Sequence, residues 1–113
     1  MGIRVSNVTF DCDNPGLVAE FWAAVLDGTV ETRVPNAFLG MKTAASGDFF
    51  FIRVPEQKGA KNRLHLDLDT GGAREAEVAR LLELGATVVT EKDEWGHRWT
   101  VLQDPEGNEF CVA

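Results

Sequence analysis

Two spacings of apolar residues alternate along the chain. In "IRVSNVTFDC", Val8, Phe10 and Cys12 interleave with Asn7, Thr9 and Asp11, the period-2 pattern of a half-buried strand. Further on, Leu17, Val18, Phe21, Trp22, Val25 and Leu26 recur at three- and four-residue intervals, which predicts a helix with one broad apolar stripe. Asp13-Asn14-Pro15 supplies an Asx cap and a first-turn proline at its start, and Gly28 marks its expected end. "TVETRV", "AFLGMKTA" and "DFFFIRV" then read as three strands, parted by turn signals at Pro35-Asn36 and Ser46-Gly47-Asp48.

The second half repeats the plan. "RLHLDLD" sets Leu64, Leu66 and Leu68 on one side of an extended chain and Arg63, His65, Asp67 and Asp69 on the other. A helix over about 72–84 carries Val78, Leu81 and Leu82 on one face, and "TVVTEKDE", "RWTVLQ" and "EFCVA" read as strands. "DPEGN" is a hairpin turn in which Pro105 pre-sets the backbone and Gly107 or Asn108 takes positive φ. Shifting the chain by 58 residues lays Asp11 on Asp69, Leu26 on Leu84, Thr29 on Thr87, Val30 on Val88 and Thr32 on Thr90. These matches and the shared element order suggest an internal duplication. The expected architecture is one α+β domain, 1–113, of two βαβββ modules, one about 3–55 and one about 63–113. The polar stretch from Pro55 to Asn62 forms the boundary.

Composition narrows the function. The chain has 113 residues, and 18 acids against 11 bases give a formal charge of −7, which disfavours a nucleic-acid partner. "FFFI" falls far short of the ~20 apolar residues of a membrane span, and the N-terminus shows no signal-peptide block, so a cytoplasmic location is expected. Cys12 and Cys111 lack metal-knuckle spacing and read as free thiols of a reducing compartment.

The same shift pairs Asn7 with His65 and Thr9 with Asp67, so both helix-preceding strands carry polar residues on the face away from their helix. Such faces either meet water or, if two sheets curl together, line a concavity for a ligand. "DNPGLVAEFWAAVLDG", "RVPEQKGAKNRLHLDLD", "LLELGATVV" and "DPEGNEFCV", in that order over nearly the whole chain, resemble the vicinal oxygen chelate superfamily. That superfamily holds glyoxalase I, extradiol dioxygenases and the bleomycin- and fosfomycin-resistance proteins, and the chain looks most like its glyoxalase-like domain branch. The resemblance implies two modules forming a curved mixed-sheet cup with helices outside, a small-molecule ligand and a homodimer.

The metal enzymes of the superfamily place ligands on the first and last strands of each module. By motif these positions fall on Asn7, near Ile52, on His65 and on Cys111. Isoleucine donates nothing, Asn7 is a weak donor, and no glutamate stands at these positions, so neither a conventional metal centre nor another cofactor is expected. A divalent metal, if bound, would be held by His65 and Cys111.

The resulting expectation is a protein binding a small organic ligand, aromatic ones included, for sequestration or for metal-free acid–base chemistry with His65 as the catalytic group. Asn7, Thr9, Phe38, Phe50, Ile52, His65, Asp67, Trp99 and Cys111 are the candidate ligand-binding residues. Each has a plainer reading: His65 as a structural histidine bonded to Asp67, the phenylalanines as core, Cys111 as an inert thiol, and Trp95, His97 and Trp99 as a hairpin edge or dimer contact. Lys58, Lys61 and Arg63 form a small basic cluster, read as a solvated loop. The competing functions are a divalent-metal lyase or dioxygenase of the same superfamily, and a non-catalytic interaction domain.

Overall fold

Strand β1 (Val8–Cys12) enters helix α1 (Pro15–Leu26), followed by β2 (Thr29–Val34), β3 (Phe38–Lys42) and β4 (Asp48–Arg53) in a computed structural model that describes residues 2–113. The second half runs β5 (Asp67–Leu68), α2 (Arg74–Leu84), β6 (Thr87–Glu94), β7 (His97–Gln103) and β8 (Glu109–Val112). Contacts divide the chain into two units, Met1–Gln57 and Lys58–Ala113. Each holds a four-stranded mixed sheet, ordered β1-β4-β3-β2 in the first and β5-β8-β7-β6 in the second. The helix-preceding strand pairs parallel with the last strand of its unit, and the other pairs are antiparallel. The architecture is thus α+β with two βαβββ units, and the 58-residue shift carries the start of β2 onto the start of β6.

Helix α1 starts as its sequence predicts: Asn14 Oδ1 accepts from the Leu17 amide at 3.3 Å, and Pro15 occupies the first turn. Its end differs. Asp27 takes the left-handed conformation (φ 54°), while Gly28 is needed because a Cβ there would lie 2.5 Å from Met41 Sδ. The buried face is narrower than the predicted stripe, with Val18, Ala19, Phe21 and Trp22 covered and Leu17 exposed. It packs on Leu39, Met41, Phe49 and Phe51, and Phe10 stacks on Phe51 at 5.4 Å between ring centres. Burying each of these large side chains stabilises the unit by roughly 1.5–3 kcal/mol.

The second core is smaller, built on Leu81, Ala86, Leu102, Phe110 and Val112, with Val101 buried on the other face of the sheet. Leu82, expected beside Leu81, is exposed, because a helix that packs chiefly through Leu81 turns the next residue about 100° away. Arg74 Nη1 donates to the buried Thr100 hydroxyl at 2.8 Å, fixing the first turn of α2 to β7. Gly107, at φ 84°, makes the turn expected in "DPEGN". Among the described residues no helix is long and apolar enough to cross a membrane.

The predicted strand over 63–69 shrinks to Asp67–Leu68. Its ladder is nevertheless extended by single bonds: the Cys111 amide donates to Leu66 O at 2.9 Å and the Thr70 amide to Ala113 O at 2.9 Å. Upstream a side chain takes over, since Asn62 Oδ1 accepts from the Glu109 amide at 2.7 Å and Asn62 Nδ2 donates to Glu109 O at 3.1 Å. The primary amide thus imitates a strand residue and lets the backbone at 63–65 leave the sheet, with Leu64 exposed.

Candidate functional site

Strand alternation sorts the candidate residues onto one face of each sheet. In the first unit Thr9 pairs with Phe50 and Asp11 with Ile52, while Phe38 pairs with Ile52 and Gly40 with Phe50. Paired residues point the same way, so Thr9, Phe38, Phe50 and Ile52 lie on the face opposite α1, whose own side is filled by Leu39, Met41, Phe49 and Phe51. Asn7 joins them through a side-chain bond from its Nδ2 to Thr9 Oγ1 at 2.9 Å.

In the second unit Asp67 pairs with Cys111, and Cys111 with Val101, two residues from Trp99. His65 stands two residues before Asp67, its Nε2 3.4 Å from Asp67 Oδ1. Alternation thus puts Asp67, Trp99 and Cys111 on the face opposite α2, and His65, whose backbone lies outside the sheet, joins Asp67 and Cys111 through its side chain. The register also corrects one expected position. Thr9 is the 58-residue counterpart of Asp67, so the counterpart of Cys111 in the first unit is its partner Phe50, not Ile52.

The imidazole, the Asp67 carboxylate and the Cys111 sulfur converge, each offering a donor atom within 4.8 Å of the others. Asp67 makes this a three-donor group, where the sequence singled out only two metal-ligand candidates. Cys111 is half-buried, and its thiol pKa is raised, first by desolvation, then by the Asp67 charge and by the hydrogen bond to Asp67. Lys61 opposes the shift, and Glu109, to which Lys61 is ion-paired, adds to it. The thiol is thus held as a neutral donor to Asp67, which suits a hydrogen-bonding group better than a nucleophile. As a metal set, nitrogen, oxygen and sulfur suit a borderline ion of the zinc class rather than a hard ion, and binding would have to displace the thiol proton. Cys12, fully buried with its thiol 3.3 Å from Phe10 O, is inert.

The remaining candidates disperse. Trp95 sits in the β6–β7 turn at φ 53° and stacks on Trp99, ring centres 6.1 Å apart, while His97 is exposed. Lys58 bonds the Ala60 carbonyl, Lys61 goes to Glu109, and Asp69 accepts from the Gly71 amide at 2.9 Å beside the start of α2. Phe38 and Phe50 are neither bare core nor bare pocket floor, because the Arg33 guanidinium lies over both rings. Nothing in "TVETRV" singled out Arg33, since its placement depends on a bulge that a regular alternating pattern does not display.

A family model described as the glyoxalase-like domain matches residues 7–113. No curated protein matches the sequence. Among solved structures, a glyoxalase/bleomycin resistance protein/dioxygenase family enzyme from Burkholderia phytofirmans PsJN is similar with a TM-score of 0.75 and 24% identity, over 95% of this chain and 94% of that one. A mutant of the fosfomycin resistance protein FosX from Listeria monocytogenes, complexed with Mn(II) and 1S,2S-dihydroxypropylphosphonic acid, reaches a TM-score of 0.81 at 11% identity over 99% and 90% of the two chains. Lactoylglutathione lyase from Agrobacterium tumefaciens reaches 0.70 at 14% identity over 96% and 91%. At these identities the structural likeness speaks for the fold. The family model carries the membership: the chain belongs to the glyoxalase-like domain family of the vicinal oxygen chelate superfamily.

Proposed function

We propose that this glyoxalase-like protein binds a small organic molecule against the polar sheet face of its second unit, with His65 as the acid–base group and no metal required. The observation that carries this reading is the convergence of His65, Asp67 and Cys111 on the face opposite α2. An imidazole can accept a ligand proton, and an adjacent carboxylate stabilises the imidazolium that forms. The half-buried thiol supplies a neutral donor, and Trp99 on the same face supplies flat apolar surface. In the first unit the counterparts of His65 and Cys111 are an amide already bonded to Thr9 and a phenylalanine, so they add little to a metal set. The acid–base role serves either turnover or tight sequestration. The exposed Leu82, Val88 and Val89 support pairing with a second copy, which a sedimentation mass would test.

A second reading is favoured by one observation, that three donors lie within 4.8 Å. His65, Asp67 and Cys111 would then hold a divalent ion that supplies Lewis-acid chemistry, as a relative of this fold carries Mn(II). Metal analysis of protein purified without chelator separates the two. The metal-free reading expects substoichiometric metal and small-molecule hits in a thermal-shift screen that are lost in His65→Ala but survive chelator. Stoichiometric metal, released by His65→Ala and by Asp67→Ala, would replace that reading with the second.

A further inference from the structure

We propose that Arg33, laid across Phe38 and Phe50 in the first unit, is the recognition group of a binding site for small organic monocarboxylates. Arg33 is the extra residue of a bulge in β2: Thr32 pairs with Leu39 and Val34 with Phe38, so Arg33 has no partner on β3. Bulges re-aim side chains. Here the guanidinium carbon comes to 5.4 Å from the Phe38 ring centre and 5.0 Å from that of Phe50, and the two rings meet edge to face at 5.1 Å. Gly40 completes the seat, because a Cβ there would already lie 3.4 Å from Arg33 Nε and 3.6 Å from the Phe50 ring. A larger side chain would lift the guanidinium off the sheet.

The seat restrains a side chain that otherwise samples many rotamers, so less freedom is lost when a ligand binds. It also leaves the planar edge of donors uncommitted. The one carboxylate within 4 Å of Arg33 among the described residues is that of Glu31, a loose ion pair at 3.9 Å, beyond hydrogen-bond reach.

A depression of about 80 Å³ opens beside the guanidinium, lined in part by Arg33, Lys42, Glu31, Asp48, Gly40 and Phe50. That is about half the ~150 Å³ known to admit a benzene ring, so it seats a charged head group while the body of the ligand projects outward. Two cations and two anions line it. A carboxylate gains the forked hydrogen bonds that arginine offers, and since the charges of the lining cancel, a monoanion leaves the site with one net negative charge and a dianion with two, the costlier arrangement. The lining therefore favours a carboxylate over a phosphoryl group. None of the His65 cluster is among its residues, and its test does not depend on the function proposed for that cluster.

NMR titration of the isotope-labelled chain with benzoate, benzamide and doubly charged phenylphosphonate tests the proposal. Benzoate is expected to shift the Arg33 Nε–H and Gly40 amide signals saturably, benzamide to leave them in place, and phenylphosphonate to bind more weakly. Arg33→Gln and Gly40→Val should each weaken benzoate binding about tenfold or more, since a charge-assisted pair of hydrogen bonds is lost. Arg33→Gln, at a half-exposed position, keeps the fold even if Gly40→Val does not. Absence of a saturable benzoate shift, equal binding of benzamide or phenylphosphonate, or wild-type affinity in Arg33→Gln would overturn the assignment.

Discussion

His65 and Asp67, two residues apart with Nε2 and Oδ1 separated by 3.4 Å, repeat in the second unit the side-chain pairing that joins Asn7 to Thr9 at 2.9 Å in the first. In both units the segment before the helix turns a polar i, i+2 pair away from that helix. Only in the second is the pair ionisable, and only there does a thiol stand beside it.

The Cys111 thiol should report on Asp67. Replacing Asp67 by Asn removes a charge that raises the thiol pKa, so alkylation by iodoacetamide at mildly alkaline pH should accelerate; Lys61→Gln removes the opposing charge and should slow it. A folded-state pKa above the unfolded value contributes stability that is complete below the unfolded pKa and is lost as pH rises through the folded one. Urea midpoints of the wild type should therefore fall relative to Cys111→Ser as the pH passes about 8.5, the ordinary thiol value. Equal midpoint differences on both sides of that pH would contradict the assignment.

Asn62 carries the sheet edge where β5 is missing. Asn62→Ala leaves the Glu109 amide and carbonyl without the partner that bonds both, at an expected cost of about 1–2 kcal/mol. Hydrogen exchange should quicken at Glu109 while Phe51, in the other unit, is unaffected.

Gly28 is held by packing, not by its φ. Gly28→Ala places a Cβ 2.5 Å from Met41 Sδ and 3.3 Å from Lys42 O, so the buried Met41 must move, costing about 1–3 kcal/mol in denaturant unfolding. Shortening the obstacle with Met41→Leu should reduce that cost, and an unchanged cost would point to the backbone contact instead.

Asp104 organises the β7–β8 turn from a buried position. Its carboxylate accepts from the Glu106 amide at 2.9 Å, the Asn108 amide at 3.0 Å and Asn108 Nδ2 at 3.0 Å. Asp104→Ala strands those donors and should cost about 2–4 kcal/mol in urea unfolding, with Asp104→Asn losing less because one oxygen acceptor remains.

Local spacing and backbone preference determined the element order, suggested the duplication, and marked an Asx cap at Asp13-Asn14 and a turn at Gly107 or Asn108, where the structure chose Asn14 and Gly107. They also put Thr9 and Phe50 on the face where they are found, since a strand with one apolar side leaves the alternate residues nowhere else to point, whereas His65 reaches Asp67 from backbone outside the strand. What they could not carry was register. Which residue of one strand lies beside which residue of another is set by ladder hydrogen bonds and bulges between segments distant in sequence. That decided that Cys111 meets Asp67, that Phe50 rather than Ile52 is its counterpart, that Asn62 replaces part of a strand, and that Arg33 settles on two phenylalanine rings.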